Sequence, residues 1–182
     1  MLRCSCHDGE RSTDRSELSA IDISGWRGEL DRIDLRLLAL LQEDCTLSIA
    51  AMAERVGLSQ TPCWKRIQRM EAEGVIQRRV ALLSPEALGL GLTVFVSIEA
   101  RDHSPDWLQR FADAVTALPE VVEVHRMAGD VDYMLRVVTR DIAAYDGFYK
   151  RLIAAVPIKN ISSRFSMERV KSTTALPLPS VG

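Results

Sequence analysis

The stretch Ser48 to Arg79, SIAAMAERVGLSQTPCWKRIQRMEAEGVIQRR, constrains the chain most. It reads as two short helices joined by a tight turn. Met52, Ala53 and Val56 give the first helix an apolar face, and Gly57 supplies the positive φ that stops it sharply. Ser59 can then accept the orphan amides of the next helix, and Pro62 falls in that helix's first turn, where a missing N–H costs nothing. On the second helix Cys63, Ile67 and Met70 recur at i, i+4 and i+7 and face inward. Gln60, Thr61, Trp64, Lys65, Gln68 and Arg69 face outward.

Helix pairs of this length also occur as plain solvated amphipathic hairpins, and charge separates the two readings. Arg55, Lys65, Arg66, Arg69, Arg78 and Arg79 stand against Glu71 and Glu73 in this stretch, although the whole chain is formally −2. Positive charge concentrated on one module tracks phosphates. Gln60, Thr61, Trp64 and Lys65 occupy the turns that helix-turn-helix proteins present to base edges. Arg66, Arg69 and Arg78 flank that face and are assigned to phosphates, as cations with no partner of their own.

Upstream, Leu30, Ile33, Leu37, Leu38 and Leu41 recur at helical spacing. Asp31 and Asp34 place carboxylates at the positive end of that helix, which ends near Asp44. Downstream, Gly74-Val75-Ile76 followed by Gln77-Arg78-Arg79 reads as a turn into a short β-wing. Residues 29–90 are thus expected to form a winged helix-turn-helix domain. Residues 1–28, rich in Ser, Arg, Asp, Glu and Gly without a sustained period, read as a disordered tail or extension.

Pro85, Gly89 and Gly91 mark a change of periodicity, and residues 91–182 form the second expected domain. Leu92, Val94, Val96, Ile98 and Ala100 alternate with polar partners as in a half-buried strand. Trp107, Phe111, Val115 and Leu118 give a helix ended by Pro119. Val121 to Met127 and Tyr133 to Val138 read as strands joined by the hairpin Ala128 to Asp132. Ile142 to Val156, carrying Tyr145, Phe148 and Ile153, is a further helix, and Ile161 to Val170 a last strand. The order β-α-β-β-α-β is that of a ferredoxin-like sandwich, so the fold class is α+β, with one sheet face left for another subunit.

Other chemistries find little support. With 47% hydrophobic and 26% charged residues the composition is that of an ordinary globular protein. No apolar run approaches the roughly 18 residues of a membrane span, and a cytoplasmic location is expected. Cys45 and Cys63 are read as small hydrophobes on helix faces, and Cys4-Ser5-Cys6-His7 lacks the spacing of a structural zinc site. His7, His103 and His125 have no nucleophile or metal spacing around them, so no catalytic residue, metal or cofactor is assigned.

These residues together carry a family likeness. The chain resembles the Lrp/AsnC, or feast/famine, transcription regulators from Leu30 to Leu178. The likeness lies in LDRIDLRLLALLQED, VGLSQTPCWKRIQRMEAEGVI, MAGDVDY and MERVKSTTALPL; the extension at residues 1–28 departs from it. The resemblance implies a DNA-binding regulator of amino-acid-related metabolism and a homodimer built through the second domain, assembling to tetramers or octamers. It also implies a small effector, often an amino acid. A two-fold protein implies a pseudo-palindromic operator.

The hairpin's own chemistry suits an effector. Gly129 allows close approach, Asp130 and Asp132 can accept from an α-ammonium group, and turn amides can receive a carboxylate. The same residues also make an ordinary acidic turn. The resemblance places His125, Met127, Tyr133, Arg164, Phe165 and Ser166 near this site, where each serves equally as sheet packing or interface. Two other functions stay open on the residues: an architectural DNA-compacting protein, and a regulatory subunit of an amino-acid-metabolising enzyme.

Overall fold

A computed structural model of the chain describes residues 29–179. The expected tail at residues 1–28, with Cys4, Cys6 and His7, lies outside them. The first helix, α1 (Arg32–Glu43), opens on a reciprocal capping box. Asp31 accepts from the amides of Ile33 and Asp34, and Asp34 accepts from the amide of Asp31. Helix α2 (Ile49–Val56) is capped by the Ser48 hydroxyl and closed by Gly57 at φ 74°. Helix α3 (Gln60–Ala72) follows at once. Leu37, Leu38, Met52, Ala53, Val56, Cys63, Ile67 and Met70 bury together as the core of this three-helix unit.

Two local expectations are corrected here. Ser59 starts α3 through its backbone, but its side chain makes no capping hydrogen bond. The expected β-wing is absent as a strand. Gly74, at φ 75°, turns the chain and the Ile76 amide bonds back to the Met70 carbonyl at 3.0 Å, but residues 77–84 pair with no strand among the described residues. A wing needs a second strand beside the first, and the chain passes directly into a 3-10 turn at Glu86–Leu88 instead. Val80, Leu82 and Leu83 are left exposed.

The second unit runs β1 (Leu92–Ala100), α4 (Pro105–Ala117), β2 (Val121–Arg126), β3 (Tyr133–Thr139), α5 (Ile142–Ala155) and β4 (Ile158–Phe165). The sheet is antiparallel throughout with spatial order β2-β3-β1-β4, the split βαβ arrangement expected. Val94, Val96, Ile98, Leu135 and Val137 point to one face, where Trp107, Phe111, Tyr145, Phe148 and Leu152 cover them. Leu152, not Ile153, completes the buried stripe of α5, because it falls seven residues after Tyr145 and four after Phe148 on one helical face. The last strand runs earlier than its expected range of Ile161 to Val170, since Ile158 already pairs with Ala100 and pairing ends at Phe165 opposite Val94. Cys45 sits in the turn past α1 rather than inside a helix.

The two units are joined a second time. After β4 the chain returns to α1, where the Gln42 amide group donates to the Leu176 carbonyl at 3.2 Å and accepts from the Leu176 amide at 2.6 Å. Leu178 packs on the core of the helical unit, so residues 91–182 are not one self-contained piece. Arg169 pairs with Glu86 beside the connecting turn.

Candidate nucleic-acid interface and effector site

The outward face of α3 begins at its N-terminus. Ser59, Gln60 and Thr61 are exposed there, and Trp64 and Lys65 follow one turn later, the indole with half its surface open to solvent. A large aromatic beside amide and hydroxyl groups, with inward Cys63, Ile67 and Met70 anchoring the helix behind, forms a surface with hydrogen-bonding reach and no interior role. Arg78 is exposed on the segment beyond Ile76 and forms no ion pair with a described residue. Lys65 is likewise unpaired among them.

Arg66 and Arg69 differ from the expectation of cations without partners. Arg66 donates to Asp31 at 2.6 Å and to Asp34 at 2.8 Å, and Arg69 donates to Asp34 at 2.5 Å. The backbone amide of Asp34 and the Arg66 guanidinium hold the Asp31 carboxyl below its usual range, while the two carboxylates push the Arg66 guanidinium further up. By sequence, Asp31 and Asp34 are residues of a helix start. The signal for more was present: acids three apart on one helix match arginines three apart on another.

The effector candidates fall into two groups. At the hairpin, the Met127 amide donates to the Asp132 carbonyl at 2.8 Å, and Gly129 takes φ 132°. Met127, Gly129 and Asp130 are exposed. Asp132 is tied inward: its amide donates to the Ile98 carbonyl, and Oδ2 accepts from the Ala100 amide at 2.7 Å. Its Oδ1 lies 3.6 Å from His103. Tyr133 is buried at 8% exposure, its ring 4.5 Å from Phe111 and 6.0 Å from Trp107, so it packs the core instead of facing a ligand.

Arg164 and Ser166 stand at the end of β4 and just past it. Arg164 lies on β4 opposite Phe95 and donates to the buried Ser97 hydroxyl at 2.6 Å, and the Ser166 amide bonds to the Thr93 carbonyl. From Thr93 to Ile98 along β1 is about 16 Å, so Ser166 lies far from the hairpin of its own chain, whereas the Arg164 guanidinium reaches Ser97, next to Ile98 and opposite Met134. Phe165 faces the helices, edge-on to Tyr145 at 5.3 Å. His125 lies on the opposite, open face with Glu123, which Arg136 holds at 2.6 Å. Phe95 is 40% exposed on that open face.

Among the described residues no helix is long and apolar enough to cross a membrane, and no cluster of His, Cys, Asp or Glu is placed to hold a metal ion. A helix-turn-helix with an exposed second helix, joined to a ferredoxin-like sandwich with an open face, defines a DNA-binding module coupled to a ligand-binding or assembly module. Residues 30–71 match the AsnC-type helix-turn-helix domain and residues 93–176 the Lrp/AsnC ligand binding domain. The chain is 53% identical over 150 residues to the DNA-binding transcriptional activator DecR of Escherichia coli (strain K12), an alignment covering 82% of this chain and 99% of that one. Among solved structures, an AsnC family transcriptional regulator from Agrobacterium tumefaciens superposes with a TM-score of 0.79 at 59% identity, covering 81% of this chain and 97% of that one. A transcriptional regulator from Neisseria meningitidis, solved as its L-Met complex, superposes at 0.78 with 34% identity, covering 82% and 97%. The chain belongs to the Lrp/AsnC family; it is a DNA-binding transcriptional regulator and not an enzyme.

Proposed function

We propose that this regulator reads a pseudo-palindromic operator through Gln60, Thr61, Trp64 and Lys65, and that an amino acid bound at its second domain modulates the reading. The observation that carries the first half is the exposed N-terminal face of α3, whose polar and aromatic side chains have no partner among the described residues and suit base edges in the major groove. Ser59 and Arg78 border that face and serve the backbone. The second half draws on the hairpin, where Met127, Gly129 and Asp130 are open to solvent, and on the L-Met complex of the Neisseria relative.

The uncovered sheet face, with Phe95 among Arg136, Arg164 and Met134, suits a second copy of the chain, giving a homodimer that assembles further. Asp130 and Asp132 would receive the effector's ammonium group, Arg164 would face it from β4, and Ser166 would reach it from a neighbouring subunit, since it is remote from the hairpin in its own. The protein works in the cytoplasm, on genes of amino-acid-related metabolism.

A thermal-shift screen of the amino acids tests the reading, because a ligand that binds only the folded state raises the melting temperature. The amino acid that does so is expected to change affinity for a duplex selected by the protein, or the size of its oligomer. No shift with any amino acid, and equal affinity for selected and random duplexes, would reduce the protein to an architectural DNA binder.

A further inference from the structure

One buried carboxylate holds the reading helix from behind. Asp34 has no solvent exposure, and both its oxygens serve α3: Oδ1 accepts from Arg66 at 2.8 Å, while Oδ2 accepts from Arg69 at 2.5 Å and also from the Asp31 amide at 3.2 Å. Arg66 also reaches Asp31 at 2.6 Å. Two carboxylates one turn apart at the start of α1 therefore grip two guanidiniums one turn apart on α3. Contacts at two levels of each helix fix the rotation of α3 about its own axis as well as its tilt. Rotation matters because neighbouring helical residues differ by about 100° in direction, so a modest roll changes which of Gln60, Thr61, Trp64 and Lys65 faces a base.

The same contacts remove charge. A guanidinium leaving Asp34 for a phosphate would abandon a fully buried carboxylate, a strongly unfavourable exchange. Of the cations on α3, Lys65 stays free among the described residues, while Arg66 and Arg69 are neutralised in place.

We propose that Asp34 is a positioning residue for sequence reading: it sets the roll of α3 and keeps Arg66 and Arg69 off the phosphate backbone, so that less of the affinity is independent of sequence. The proposal rests on α3 being the helix that meets DNA.

Full-length Asp34→Asn is titrated against a duplex selected by the wild type from a random pool and against a scrambled duplex of the same length, over a range of KCl concentrations. The selected-to-scrambled affinity ratio should fall about tenfold or more. On the scrambled duplex, the slope of log K against log salt should steepen by about one to two as the released guanidiniums take phosphates. Equal weakening on both duplexes with an unchanged slope would make Asp34 a scaffold residue and overturn the proposal. Arg69→Gln asks the same question at a partly exposed position, should Asp34→Asn fail to fold. The proposal requires a lowered ratio with the slope unchanged. A slope reduced by about one, with equal loss on both duplexes, would make Arg69 a phosphate contact and overturn it. A wild type that selects no sequence would overturn the reading of α3 itself, and the proposal with it.

Discussion

The indole of Trp107 donates to the carbonyl of Pro157 at 2.6 Å, tying the start of α4 to the junction between α5 and β4. Trp107 is fully buried and stacks on Phe111 at 5.1 Å, so one side chain fills the core and joins two connections. Trp107→Phe, which keeps most of the packing and loses the donor, should cost about 1 kcal/mol. Trp107→Ala should cost about 3–5 kcal/mol. Urea denaturation checks both, an unchanged m value confirming that the loss lies in stability.

On α3, Gln60→Ala and Thr61→Ala should each lose about 1–3 kcal/mol on a selected duplex and almost nothing on a scrambled one. Equal losses on the two would show that these side chains do not read bases.

Arg78, unpaired among the described residues and outside the reading face, should behave as a phosphate contact. Arg78→Ala is expected to weaken all duplexes alike and to reduce the salt slope by about one. A titration series in KCl gives that slope directly, and no change in it would place the phosphate surface elsewhere.

Acid should loosen the helical unit through Asp31. Its folded pKa lies below the ordinary value of 3.8, so its contribution is complete above 3.8 and is lost as pH falls through the lower folded value. Asp31→Asn should therefore be less stable than the wild type at neutral pH, and the two should converge in strong acid. Urea midpoints measured across pH show the convergence; a constant gap down to the lowest pH would remove the Asp31 carboxylate from the balance.

Asp132→Ala should abolish the effector's influence on DNA affinity or oligomer size while leaving effector-free DNA binding intact. It should also cost about 1 kcal/mol of stability by orphaning the Ala100 amide. Sedimentation velocity and DNA titration, each with and without the amino acid found by thermal shift, test the first part. A variant that still responds as the wild type does would remove Asp132 from the sensor.

Much of the fold was legible because short-range rules decide it. The acidic start of α1, the Gly57 stop, the inward Cys63-Ile67-Met70 stripe and the alternation of β1 each follow from dipole, periodicity or turn chemistry. What escaped depends on partners far away in sequence. Arg66 and Arg69 looked like free cations because their acids lie on α1. Tyr133 looked like a ligand contact through the family likeness, although the alternation Tyr133, Leu135, Val137 already directs it to the covered face. The segment after Phe165 has no period at all, and only the folded chain shows what it touches.

That last segment has a mechanical meaning. A body attached at one point can swing about any axis, whereas one attached at two can turn only about the line between them. The reading unit is fastened to the sheet once by the stretch from Gln77 to Gly91 and again by the Leu176 and Leu178 contacts with α1 and its core. The second fastening removes freedom that a single linker would leave, and a displacement at the end of β4 has a direct route to α1 through the segment that follows it.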